Sequence, residues 1–184
     1  MSAPLRMVTQ EQVRLRVEDF LALADAGALP NHERTELIDG SIYWVAPQHR
    51  PHARMKMELY DRLRDALKVS RPELGILTEA TVGMPPYDAP LPDIIVTTEP
   101  DGLGIIPLES VRLIVEISVS TLRDDLGTKL RSYAAHGVPE YWVADVEGGR
   151  IHQMWLPSGG AYGQTRVVDA RGALSIHSVG ITVD

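Results

Sequence analysis

The run VRLIVEI, Val111 to Ile117, places one carboxylate in the most apolar stretch of the chain. Its β-branched, nearly continuous apolar character is that of a strand covered on both faces. A buried strand does not keep an unpaired charge, because a carboxylate taken out of water loses far more solvation than packing returns. Glu116 therefore needs a partner. Three residues offer themselves along the chain: Lys129, thirteen residues downstream; Asp93, in the preceding run LPDIIVTT; and Glu36, in TELIDG. Together they outline an acidic site with one lysine. A buried ion pair between Glu116 and an arginine satisfies the same rule without any chemistry.

A chain of 184 residues suits a single domain, 1–184, with 1–16 read as an extended N-terminal arm. The opening MSAPLRMVTQEQVRLR lacks the apolar core of a secretory signal, and no apolar run approaches the roughly 18 residues that span a bilayer. The expectation is a cytoplasmic protein with no membrane partner. The absence of cysteine excludes disulfides and thiolate metal sites, and the six histidines are scattered, so a structural zinc is not expected. A net charge of −7 argues against gripping nucleic acid by bulk electrostatics, which needs clustered Lys and Arg. It leaves room for carboxylates that gather a divalent cation, and for an oligomer that presents a local basic groove.

In chain order, VEDFLALADA before Gly27 reads as a short amphipathic helix, and Asp39-Gly40 between two β-rich runs signals a hairpin with Glu36 on its first strand. Pro51 opens a helix through HARMKMELYDRLRDALKVS, where Met55, Leu59, Leu63 and Leu67 recur every four residues and Pro72 marks the end. ILTEATVGM and LPDIIVTT are strands joined by the proline-rich loop PPYDAPLP, and EPDGLGIIPLES is a loop. After the Glu116 strand, Ser120 or Thr121 caps a helix ending at Gly137, and PEYWVADV follows as a parallel strand. RIHQMWL, AYGQTRVV and ALSIHSVGITV alternate around SGG and ARG turns as a C-terminal β-meander completing the sheet. The fold class is α/β, with a mixed sheet.

Two carboxylates from separate strands suit an oxygen-loving divalent ion such as Mg²⁺, which keeps several waters. Asp93 and Glu116 are the candidate metal ligands, with Lys129 orienting a water or stabilising charge at phosphorus. Asp125, Lys129 and Tyr133 are spaced by four and share a helix face, so Asp125 can steady the ammonium. The plainer readings are a solvated ion pair with a packing tyrosine, a strand-entry Asp93 and an exposed hairpin Glu36.

The series ELIDG (Glu36–Gly40), the AP..RPH run ending at His52, LPD (Leu91–Asp93), LIVEISVST (Leu113–Thr121), D...K...Y (Asp125–Tyr133) and GVPEYWVAD (Gly137–Asp145) resembles the Uma2 family. That bacterial family is described as restriction endonucleases of the PD-(D/E)XK superfamily, and the resemblance covers about Val17 to Asp184. It implies a restriction-endonuclease-like mixed sheet flanked by helices, with Asp93 as the Asp of PD and Glu116 as the acid of (D/E)XK. Ser118 stands where the superfamily lysine is expected, which implies that Lys129 on the next helix has taken its place. Glu36 resembles the upstream acid, and His52 a recurring histidine for phosphate contact, proton shuttling or packing. The implied function is Mg-dependent hydrolysis of DNA phosphodiester bonds, with Mn as a substitute. The alternative is a nuclease-like binding or assembly module with weak or lost chemistry. A homodimer is expected, because double-strand cutting needs two sites and the apolar C-terminal strands offer a surface to cover.

Overall fold

The structure, a computed structural model, describes residues 12–29 and 34–183. The strand carrying Glu116, β7 (Val111–Ser118), lies inside a six-stranded mixed sheet. Its order is β10 (Ala161–Asp169), β9 (Arg150–Ser158), β8 (Glu140–Asp145), β7, β5 (Ile94–Thr97), β3 (Gly75–Thr78). Only β7 and β8 run parallel within it, as the intervening helical segment requires, and the other pairs are antiparallel.

Side-chain alternation divides β7 between two cores. Leu113, Val115 and Ile117 face α2 (Arg50–Ser70), whose Leu59, Leu63 and Leu67 form the predicted four-residue stripe and are fully or almost fully buried. Ile114 faces the other way, toward Tyr133, Tyr141 and Val143, and Glu116 shares that face by the two-residue period. A third cluster joins α1 (Val17–Asp25) to the hairpin β1 (Thr35–Ile38) and β2 (Ser41–Trp44) through Phe20, Leu37 and Ala89. The turn uses Asp39 at φ 49° and Gly40 at φ 74°. A Cβ on Gly40 would also lie 2.6 Å from that of Arg14, so glycine is required twice over. Residues 12–16 run irregularly beside this hairpin, with Leu15 N–H donating to the Gly40 carbonyl. The rest of the expected N-terminal arm lies outside the described residues.

Four expectations are corrected. ILTEATVGM is not one strand: Glu79 turns left-handed at φ 52°, so β3 stops at Thr78 and β4 (Val82–Gly83) leaves the sheet. It pairs instead with β6 (Ile106–Pro107), a two-residue strand inside the supposed loop EPDGLGIIPLES. The meander is incomplete: β9 and β10 extend the sheet, whereas β11 (Leu174–Ile176) and β12 (Ile181–Val183) pair only with each other and bury Leu174, Ile176 and Val183 in the α2 core. The helix after β7 is interrupted: α3 (Leu122–Asp124), a π-helical turn (Asp125–Lys129) and α4 (Leu130–Ala135) follow one another. Finally, YWVADV is not surface; Tyr141, Trp142, Val143 and Ala144 are fully buried, so this strand supplies no dimer face.

Candidate active site

The register of β5 against β7 pairs Ile94 with Val115; one step further along the same antiparallel ladder sets Asp93 opposite Glu116. Cross-strand neighbours share a face, and their Cβ atoms are about 5 Å apart. Both carboxylates are nearly buried, with side chains 9% and 6% exposed. They line one cleft of about 430 Å³ together with Glu36, His52, Asp125 and Lys129.

Glu116 Oε1 accepts two hydrogen bonds, from Lys129 Nζ at 3.0 Å and from the Tyr133 hydroxyl at 2.8 Å. The partner is thus a lysine and not an arginine. Asp125 lies one turn back, with Oδ1 4.0 Å from Lys129 Nζ and Oδ2 accepting from Thr121 Oγ1 at 2.6 Å. Thr121, expected as a cap, spends its hydroxyl on Asp125 instead. The π-turn, a form often found at functional sites, contains Gly127, a weak helix former, and ends on Lys129. Tyr133 does more than pack: from the expected shared face, Lys129 and Tyr133 both donate to the glutamate, with Asp125 in ion-pair range of Lys129.

Electrostatics follow from burial. Desolvation pushes the Glu116 carboxyl up, Lys129 pulls it down, and Asp93 and Asp125 push it up again, for a net upward shift. Burial works against the Lys129 ammonium, but Glu116, Glu36 and Asp125 outweigh it and raise its pKa. Burial, and then the negative Glu116, hold the Tyr133 hydroxyl well above the usual phenol value, so it stays a donor.

Asp93 is clasped at both oxygens. Oδ2 accepts from the backbone N–H of Ile117 at 2.9 Å and lies 3.1 Å from His52 Nε2; Oδ1 accepts from Gln48 Nε2 at 3.2 Å. Lys56 stands 3.8 Å from Oδ1 and donates to Gln48 Oε1 at 2.7 Å and Glu79 Oε1 at 2.9 Å. Sequence reading missed Gln48, Lys56 and Glu79. Lys56 had a signal, since it follows His52 by four on α2 and so shares its face; Gln48 and Glu79 had none, because an extended segment and a left-handed turn deliver them. Glu36 sits at the margin, its Oε2 3.5 Å from the Leu91 N–H while it acts electrostatically on Lys129.

Among the described residues no three His, Cys, Asp or Glu side chains form a ready-made metal cluster. The donors present still fit a hard cation of the Mg²⁺ kind. Two opposed carboxylates suffice where water and phosphate complete the shell, and no described residue donates a hydrogen bond to Glu116 Oε2.

The fold is that of a restriction-endonuclease-like nuclease, a six-stranded mixed sheet with helices on its faces. The chain belongs to the Uma2 family, described as "Putative restriction endonuclease", whose model matches residues 17–183. The crystal structure of a "putative nuclease" from Anabaena variabilis is similar at a TM-score of 0.62 and 19% identity, with 84% of each chain covered. No curated protein matches the chain.

Proposed function

We propose that this protein is a metal-dependent endonuclease that hydrolyses DNA phosphodiester bonds in the Asp93–Glu116 cleft. The observation that carries this reading is the opposition of two nearly buried carboxylates on adjacent strands, with a lysine closing on one of them. Mg²⁺, or Mn²⁺ in its place, held by Asp93 and Glu116 would supply Lewis-acid polarisation of the phosphoryl group. Lys129 keeps its proton and, 29% exposed at the cleft, stabilises charge that develops on phosphoryl oxygens. Tyr133 and Asp125 fix the positions of Glu116 and Lys129; His52, Gln48 and the Ile117 N–H fix Asp93. Glu36 favours the charged form of Lys129. In this reading the protein acts on DNA in the cytoplasm as a homodimer.

The test is incubation of supercoiled, linear and single-stranded DNA with Mg²⁺ or Mn²⁺, beside Asp93→Ala. Cleavage by the parent and none by the variant is expected; equal cleavage by both, or none by the parent with either ion, overturns the proposal. A binding or assembly module is the second reading, favoured by the acidity of the cleft. Calorimetric titration that shows no heat with either ion would select it.

A further inference from the structure

The cleft is poorly equipped to hold phosphates by charge. Six acids line it, Glu36, Glu79, Asp93, Glu116, Asp124 and Asp125, and among the described residues Lys129 is the one lysine or arginine that does so. Lys56 lies close by, but Glu79 and Gln48 engage it. Nucleic-acid affinity usually rests on cations that displace counterions from the backbone, and here that contribution is largely missing. What the mouth of the cleft offers is aromatic surface. Trp44 lines it and is 56% exposed, an unusual state for the largest apolar side chain. Tyr43, beside it on β2, is also exposed, but successive strand residues point to opposite faces, and it does not line the cleft. Val45, Ala46 and Pro47 continue the apolar rim.

We infer that Trp44 is a stacking platform for unpaired nucleobases, and that the preferred substrate is DNA with a single-stranded segment at the scissile position. The inference rests on the nuclease reading and adds a substrate class to it. Stacking on an aromatic ring is worth about 1–3 kcal/mol per base and tolerates any sequence. Only an unpaired base has a free π-face to present, since duplex bases are already stacked on one another. A neutral platform also brings a strand to an acidic cleft without asking each phosphate to find its own cation.

The experiment uses the full chain with chelator present and follows intrinsic tryptophan emission and oligonucleotide anisotropy. Trp44 is the exposed reporter, since Trp142 is fully buried and Trp155 is stacked on His177 at 3.7 Å. Oligo-dT is expected to quench emission and to bind about tenfold or more tightly than a blunt duplex of equal length. The salt slope should be shallow, because few phosphates are contacted by cations. Trp44→Leu should remove the quench and weaken oligo-dT binding by about tenfold; Tyr43→Leu, on the opposite face of the strand, should change neither. Thermal melting confirms that each variant is folded. Parent-like oligo-dT affinity in a folded Trp44→Leu, or equal affinity for duplex, overturns the inference. Asp93→Ala separates the two readings. If it binds oligo-dT as the parent does while the parent cleaves nothing, stacking stands and the nuclease reading falls. If it abolishes cleavage while Trp44→Leu binds normally, the nuclease stands and the platform falls.

Discussion

Lys129 reaches back across thirteen residues to place its ammonium 3.0 Å from Glu116 Oε1, joining the end of a π-helical turn to the centre of the sheet. The contact satisfies the one charge that the most apolar strand carries, and it leaves the ammonium partly open to the cleft.

Replacing Lys129 by Met should lower stability, because the buried Glu116 loses its charged partner, but leave a folded protein that binds Mg²⁺ by calorimetry, while lowering cleavage by about two orders of magnitude or more, the scale for loss of a positioned transition-state group. Arg should rescue poorly, because a planar guanidinium does not fit where one ammonium points at one oxygen. Lys68→Met, at an exposed position near the end of α2, is the control and should cleave at the parent rate. Cleavage by Lys129→Met at that rate would remove the lysine from the mechanism.

Tyr133→Phe removes one of two donors from a buried oxygen. Urea unfolding should show a loss of about 1–3 kcal/mol, the cost of leaving a buried acceptor short. The Glu116 carboxyl, released from a hydrogen bond that lowers it, should move further up. The acidic limb of the cleavage pH profile should shift to higher pH; an unmoved limb would uncouple Tyr133 from Glu116.

Glu140 gives the fold its own pH dependence, away from the cleft. It is fully buried, accepts from Trp142 Nε1 at 2.6 Å and the Ser178 N–H at 2.7 Å, and burial pushes it up to about 7 in spite of these bonds. A folded carboxyl above its unfolded value near 4.5 binds its proton more tightly when folded. Its stabilising contribution is therefore full below about 4.5 and is lost as pH rises through about 7, by on the order of a few kcal/mol. Urea midpoints in chelator should fall across that window, and Glu140→Gln should flatten the fall. Glu116 keeps part of the slope, since it is shifted in the same direction. A slope unchanged in Glu140→Gln would assign the effect elsewhere.

Gly40→Ala should cost about 1–2 kcal/mol for the left-handed conformation alone, with the close approach of Arg14 adding to it. Because the same hairpin carries Glu36, cleavage should fall along with the melting temperature. A variant as stable as the parent would show that the turn relaxes without strain.

Elements whose information is local were legible along the chain. The four-residue stripe of Leu59, Leu63 and Leu67, the Asp-Gly turn before Ser41 and the buried character of Val111–Ser118 are set by side-chain periodicity and backbone preference, and each lies where the spacing places it. The need of Glu116 for a partner was equally legible, because burial of a charge is a statement about one residue in one strand. Which partner answered depended on contacts made across the fold. The β5–β7 register set Asp93 against Glu116, and a π-turn brought Lys129 and Tyr133 to a single oxygen. The same holds for Gln48 and Lys56, drawn to Asp93 from a coil and a helix, and for Glu79, which meets Lys56 from a left-handed turn. Contacts between residues far apart in sequence leave no period to read, since their energy depends on where the backbone has already gone. For that reason the fate of β4, β11 and β12, short strands with too few residues to fix their own partners, was settled by the cores they cover.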